Sequence, residues 1–319
     1  MSSPFRKILF LNKAHPYLEK RLSELGFECQ FDFTNPKEIV EKEIHEYFGI
    51  VMRSRFGIDQ AFLEKAKNLA FIAREGVGLE HIDAGHARKR GIQLLISPEG
   101  SRDTVAEHAI GLLLCLLNNL NRADRQVRNG EWIREGNRAV ELKNKTVGIL
   151  GYGNMGAAFA KKLAGFEVTV LAYDKFKNGY GDEFAQEVKL ERLFTESDIL
   201  SIHIPYSVDN HYFINDSFLQ NFQKNIFLIN TARGLVLNTA DLTKHLKSGK
   251  VRGAALDVLE YEETSFEDFS FEKLPPAFHH LIQAENVVLS PHVAGWSFES
   301  KEKHARVLAK KIEDAFGDE

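Results

Sequence analysis

The chain has 319 residues, 44% of them apolar and 27% charged, and a net charge of −4 at pH 7. This length holds about two domains of roughly 150 residues each. The composition excludes a wholly disordered, collagenous or coiled-coil chain, and the slight acidity disfavours a general nucleic-acid binder. The longest apolar run, residues 109–117, is too short to span a bilayer, so no membrane partner is expected. The N-terminus lacks the pattern of a signal peptide. Cys29 and Cys115, the only cysteines, supply neither a disulfide framework nor a four-ligand zinc site. A cytoplasmic location fits.

Short β-type runs alternate with helical stretches, the pattern of an α/β chain with parallel sheets and crossover helices. The first series predicts strands at 7–11, 28–33, 49–52, 70–73 and 92–95, with helices at 15–25 and 60–66 between them. Val105, Ala109, Leu112, Leu116, Leu120, Ala123 and Val127 then recur at steps of three and four. That spacing predicts one long helix, capped by Ser101 or Asp103 and ended by Gly130. A second series predicts strands at 146–150, 168–173, 187–190, 199–204, 226–230, 253–258 and 287–289. Residues 260–268 are acidic and interleaved with aromatics, and Pro275-Pro276 follows. This stretch reads as an exposed loop returning to the last strand.

The strand at 146–150 runs directly into Gly151-Tyr152-Gly153-Asn154-Met155-Gly156, and a helix with Ala157, Ala160 and Leu163 on its apolar face follows. This is the strand–glycine turn–helix context of a dinucleotide site. Gly151 permits the tight turn, Gly153 lets the backbone approach a pyrophosphate, and Gly156 lets the helix pack closely on the sheet. The free N–H groups at the helix start favour the phosphates. The next strand ends at Asp174, 23 residues after Gly151. A carboxylate there accepts from a ribose 2′-hydroxyl and repels a 2′-phosphate, which favours NAD over NADP.

Three later segments each place polar residues at a strand end: Asn230-Thr231-Ala232-Arg233-Gly234, Asp257 to Glu262, and Ser290-Pro291-His292. In doubly wound sheets ligands lie beyond the carboxyl ends of the strands, so Arg233, Glu262 and His292 are candidates to converge there. With the glycine motif, Gly76-Val77-Gly78-Leu79-Glu80-His81-Ile82-Asp83, Thr104-Val105-Ala106-Glu107-His108, His203-Ile204-Pro205 and the run to Trp296, the chain resembles the D-isomer-specific 2-hydroxyacid dehydrogenases. That group includes phosphoglycerate dehydrogenase. The resemblance covers nearly the whole chain and fits a short form without a C-terminal regulatory domain.

The resemblance implies a flavodoxin-like substrate domain formed by residues 1–100 with 291–319, and an inserted Rossmann NAD-binding domain, a doubly wound parallel sheet, at 101–290. It implies catalysis by Arg233, Glu262 and His292. His292 exchanges the hydroxyl proton as hydride leaves C2. Glu262 orients the imidazole and favours its charged form, and Arg233 holds the carboxylate and polarises the C2 oxygen. Counted from Asp257, the family pattern selects Glu262 over Glu260 and Glu263. Gly76, Val77 and Gly78 resemble the loop that receives the substrate carboxylate. Tyr152, Asn154, Met155, Thr104, His203, Pro205, Thr231, Ala232 and Asp257 match cofactor-binding positions. His15, His86, His279, His280 and His304 show no metal-ligand partners, and the reaction needs no metal.

Arg53-Ser54-Arg55 follows the strand at 49–52, where the family faces its substrate. Two guanidinium groups there suit a second anion, so 3-phosphoglycerate and 3-phosphohydroxypyruvate are the expected pair. Phe56 and Glu75 are unusual at their positions. The alternatives are a dehydrogenase of an unphosphorylated acid of the hydroxypyruvate, glyoxylate or D-lactate type, and an NAD(H)-sensing, corepressor-like binding protein on the same fold. A formate dehydrogenase is a further rival, but that family carries glutamine where this chain has Glu262. A homodimer is expected from the long helix.

Overall fold

A computed structural model describes residues 6–262 and 274–317. The chain divides into two compact units, residues 1–101 with 296–319 and residues 102–295. The second crossing falls after Gly295 rather than at 290/291, because Val293 and Ala294 are hydrogen-bonded to Asp257 and belong with its sheet.

In the first unit the order is β1 (Arg6–Phe10), α1 (Pro16–Glu24), β2 (Phe27–Phe31), α2 (Lys37–Glu43), β3 (Gly49–Met52), α3 (Gln60–Lys65), β4 (Phe71–Arg74), α4 (Ala84–Lys89) and β5 (Gln93–Ile96). The five strands form a parallel sheet in the order β2-β1-β3-β4-β5, a flavodoxin-like arrangement. Alternation along β1 sends Ile8 and Phe10 to one core and Leu9 and Leu11 to the other. Both faces are therefore covered, as a parallel sheet requires.

The last helix of the chain, packed in this unit, buries Ala305, Leu308, Ala309 and Ile312 against Ile8, Phe10 and Phe71. Its buried positions follow the three-and-four spacing of one helix face. Ser297 and Ser300 start it with reciprocal side-chain-to-backbone hydrogen bonds of 2.9 Å.

α5 (Pro98–Leu117) leads into the second unit. It is followed by α6 (Leu120–Arg128), β6 (Thr146–Leu150), α7 (Asn154–Leu163), β7 (Thr169–Tyr173), β8 (Gln186–Glu187), α8 (Leu190–Glu196), β9 (Ile199–Ile202), α9 (Asp216–Gln220), β10 (Ile226–Asn230), α10 (Thr239–Ser248), β11 (Val251–Leu256), α11 (Pro276–Gln283) and β12 (Val287–Leu289). The helix that closes the chain in the first unit is α12 (Phe298–Phe316).

Seven strands form a sheet in the order β12-β11-β10-β9-β6-β7-β8, and every pairing in it is parallel. Chain order reverses between β6 and β9, which makes that point the switch of a doubly wound, Rossmann-type sheet. One core lies under α5 and α7 with Val147 and Ile149, and the other under α9 and α10 with Leu228 and Leu256. No helix among the described residues is long and apolar enough to cross a membrane.

Four sequence expectations need correction. The long helix is two helices. Asn119 turns to φ +54, and Val140 N–H donates to the Leu117 carbonyl at 3.0 Å, which replaces the next helical bond. It also starts at Pro98, ahead of Ser101 and Asp103, because proline fits the first helical turn. Leu190 opens α8 and is not strand. Pro276 opens α11, so the proline pair starts a helix where a loop was expected. Of the expected exposed loop, residues 263–273 lie outside the described residues.

The left-handed turn at Asn119 yields a test. Asn119→Gly is expected to leave stability near wild type, and Asn119→Val to lower it by roughly 1–2 kcal/mol, measured by urea unfolding. Equal stabilities of the two variants would contradict the left-handed conformation.

Candidate active site

The carboxyl edge of the second sheet collects the dinucleotide motif. Gly151 has φ +94, and a Cβ there would lie 2.9 Å from the His203 backbone. A Cβ on Gly156 would meet the Gly151 carbonyl oxygen at 2.1 Å, so the helix touches the turn only because that position is glycine. Gly153, by contrast, faces open space. It is the N-cap of α7 and contributes no side-chain cap, so the first-turn N–H groups beginning at Asn154 and Met155 lack an intrahelical partner. Asp174 stands at the end of β7. Its carboxylate accepts from Tyr152 N–H and Phe176 N–H, both at 2.9 Å, which holds it beside the glycine turn.

Pro205 is exposed beyond β9, and Thr104 is half-buried on α5. Ala232 N–H donates to Asn230 Oδ1 at 3.0 Å. Thr231 is buried and its Oγ1 has no hydrogen-bond partner among the described residues. An open glycine turn, unsatisfied N–H groups, a fixed carboxylate and an orphaned hydroxyl fit a dinucleotide.

Two expected cofactor side chains point elsewhere. Tyr152 is 4% exposed, and its hydroxyl donates to Asp182 at 2.9 Å. Only its backbone faces Asp174, because the ring packs into the core beside Tyr180. The His203 imidazole bonds Ser201 Oγ through Nε2 at 2.8 Å, its Nδ1 is buried without a partner, and burial pulls its pKa down to about 4. Its backbone, not its ring, borders the glycine turn.

The neighbouring strands β10, β11 and β12 bring Arg233, Glu262 and His292 to the same edge. His292 Nδ1 and Glu262 Oε2 are 2.6 Å apart. The other Glu262 oxygen accepts from Leu259 N–H, which locks the carboxylate in a tight turn. Glu260 is engaged elsewhere, accepting from Tyr212 Oη and, at 2.8 Å, from Thr239 N–H. The count from Asp257 therefore selects the acid that meets the histidine. A Cβ on Gly234 would fall 2.0 Å from the Leu259 backbone, so this glycine lets the Arg233 segment lie against the Glu262 turn. Arg233 Nη1 donates to the Ala232 carbonyl at 2.7 Å. Asn230, fully buried, shapes that turn by donating to the Arg233 carbonyl at 3.1 Å.

Asp257 corrects an expectation. Its side chain is 1% exposed and does not present itself to a cofactor. It accepts from Ser290 Oγ at 2.6 Å, Val293 N–H at 3.0 Å and Ala294 N–H at 2.9 Å. His108 Nε2 lies 3.4 Å away and also meets Ser290 Oγ at 3.0 Å. Burial alone raises the Asp257 pKa, but the hydrogen bonds from His108, Ser290 and the two amides outweigh it and hold the group below the usual carboxylate range. The Asp257 carbonyl also accepts His292 N–H at 2.7 Å. His292 itself sits at φ +53, a left-handed conformation that a non-glycine residue keeps only where its surroundings impose it. His108 and Ser290 went unrecognised in the sequence as supports, although both lie inside recognisable motifs.

In the first unit, Gly76 N–H donates to Ser97 Oγ at 3.2 Å, and the Gly76 carbonyl accepts Ser97 N–H at 2.9 Å. Gly76 is thus tied to the fold. The amides of Val77 and Gly78 donate to no backbone carbonyl among the described residues. The expected pair of arginines does not form an anion clamp. Arg55 donates to the carbonyls of Asp32 and Asn35 and pairs with the Asp32 carboxylate at 3.4 Å. The acid at the end of β2 draws it away. Arg53 stacks over Trp296 at 4.4 Å, with partly exposed Ser54 beside it.

The Asp257 network gives a prediction. Asp257→Asn keeps the shape but turns an N–H donor toward other donors. It is expected to cost about 3 kcal/mol in urea unfolding. Because the native pKa is depressed, the stabilisation from Asp257 is present above about pH 4 and is lost as pH falls through the lower native value. The variant should therefore show a shallower acid limb in stability against pH. An unchanged limb would contradict the assignment.

Residues 110–294 match the model of the D-isomer specific 2-hydroxyacid dehydrogenase, NAD binding domain. Over 88% of its length the chain is 37% identical to a glyoxylate reductase of Thermofilum pendens, of which it covers 82%. It is 32% identical, over 94% of its length, to a D-3-phosphoglycerate dehydrogenase of Archaeoglobus fulgidus, of which it covers 56%. Among solved structures, a D-lactate dehydrogenase from Aquifex aeolicus complexed with NAD and lactic acid superposes with a TM-score of 0.82 at 27% identity, covering 97% of this chain and 95% of that one. With the glycine turn, Asp174 and the Arg233, Glu262 and His292 edge in place, the chain belongs to the D-isomer specific 2-hydroxyacid dehydrogenases, NAD-dependent oxidoreductases acting on CH–OH donors.

Proposed function

We propose that the chain reduces a short, unphosphorylated 2-oxo acid and oxidises the matching D-2-hydroxy acid. The observation that carries this reading is the 2.6 Å contact between His292 Nδ1 and Glu262 Oε2, fastened from behind by Asp257. A carboxylate on Nδ1 keeps the ring hydrogen there and assigns Nε2 to proton exchange with the C2 oxygen. NAD, when bound, supplies the hydride acceptor or donor. Arg233 takes the role of polarising the C2 oxygen through its rigid donor fork. In the first unit, the amides of Val77 and Gly78 are assigned to the substrate carboxylate.

The engagement of Arg55 with Asp32 and Asn35 supports an unphosphorylated substrate over 3-phosphohydroxypyruvate, because one of the two arginines needed for a phosphate clamp is already paired. The relative named glyoxylate reductase, at higher identity than the one named phosphoglycerate dehydrogenase, favours the same choice.

The test is NADH oxidation with glyoxylate, hydroxypyruvate, pyruvate and 3-phosphohydroxypyruvate. Turnover of the unphosphorylated acids is expected. Turnover confined to 3-phosphohydroxypyruvate would restore the phosphate reading. His292→Ala is expected to lower kcat by about 10²–10⁴-fold with NADH affinity unchanged. A variant as fast as wild type would remove His292 from its role.

A further inference from the structure

The first sheet has its own switch point, between β1 and β3. Around it, at the carboxyl ends of the strands, lie His15 after β1, Arg53 directly after β3 and Glu75 directly after β4. Glu75 immediately precedes the loop that carries the Val77 and Gly78 amides. It is only 8% exposed, and its Oε1 is buried with no hydrogen-bond partner among the described residues. Its backbone is fixed by a 2.9 Å bond from its N–H to the Met52 carbonyl.

A buried carboxyl with one oxygen left without a partner is costly to keep in place. Burial pushes the Glu75 pKa up to about 7, against the opposing pull of Arg53, Lys301 and a backbone hydrogen bond from His15. The carboxyl thus sits among cations that a second substrate anion would otherwise use. Arg53 is in addition stacked over Trp296 at 4.4 Å and so held in place.

We propose that Glu75 sets the substrate class of this site: it cancels the positive charge of Arg53, repels a second anion on the substrate, and offers Oε1 as acceptor for a hydroxyl on C3. The substrate class is then a 3-hydroxy-2-oxo acid with a single negative charge. This rests on the reductase reading above and deepens it. It joins one attractive and one repulsive element, the combination by which binding sites discriminate between related ligands.

The experiment compares kcat/KM for hydroxypyruvate and 3-phosphohydroxypyruvate in wild type, Glu75→Gln and Glu75→Ala. Glutamine keeps the size of the side chain and one carbonyl acceptor while removing the negative charge. The ratio of hydroxypyruvate to 3-phosphohydroxypyruvate is expected to fall by at least about tenfold in Glu75→Gln, and further in Glu75→Ala, where the acceptor is lost as well. A ratio that does not move overturns the proposal, because a merely structural role would change both substrates together. If wild type reduces none of the acids, the reductase reading fails on its own. The inference is then decided by calorimetric titration of D-glycerate and 3-phospho-D-glycerate into the NADH-loaded protein, where the same shift in the ratio of Kd values supports it and an unmoved ratio overturns it.

Discussion

A single buried carboxylate organises the reactive edge. Asp257 lies at the end of β11, accepts from the hydroxyl of Ser290 and the amides of Val293 and Ala294, and through its own carbonyl holds the amide of His292. A carboxylate buried to this degree survives only when its lone pairs are filled. Here, besides His108 on α5, the groups that fill them belong to the loop that carries the histidine. The desolvation of one residue is thereby converted into the placement of another. The left-handed backbone of His292, unfavourable alone, is one consequence. The 2.6 Å meeting of its ring with Glu262 is another.

The parallel sheet explains why these groups share a side. In a parallel sheet every strand ends at the same edge, so each of β12, β11, β10, β9, β6 and β7 delivers its following residues to one line. Along that line His292, the Asp257–Glu262 turn and Arg233 come first, then Pro205, the glycine turn and Asp174. The residues proposed for proton exchange therefore occupy one half of the edge, and those proposed for the dinucleotide the other. The glycines at 151, 156 and 234 are required where backbone approaches backbone, at distances no Cβ would permit.

The most legible parts of the sequence were those governed by local rules. The glycine turn needs specific backbone freedom, and the strands show their faces by alternation. Asp257 to Glu262 is a short count, and it picked the acid that reaches His292. Less legible were features decided by distant residues. Arg55 reads as an anion ligand until the β2–α2 loop, 23 positions away in the chain, closes on it. Tyr152 and His203 occupy motif positions, yet the core chooses which way their rings turn. Asn119 sits inside an uninterrupted apolar period, and only its tolerance of positive φ hinted at a break. Pro276 reads equally as a breaker and as a first-turn residue. Asp257 was matched to a cofactor position by the resemblance, and its actual partners, His108, Ser290 and the amides of Val293 and Ala294, come from segments far off in the sequence.

The proposed reaction is hydride transfer at this edge between NADH and C2 of a short 2-oxo acid, as against sensing of the dinucleotide alone. The most direct measurement is isotopic: NADH deuterated at C4 of the nicotinamide is incubated with hydroxypyruvate and the wild-type protein, and the product is read by proton NMR. The account predicts D-glycerate carrying deuterium at C2. NADH binding with no glycerate formed, or glycerate without deuterium at C2, would contradict it.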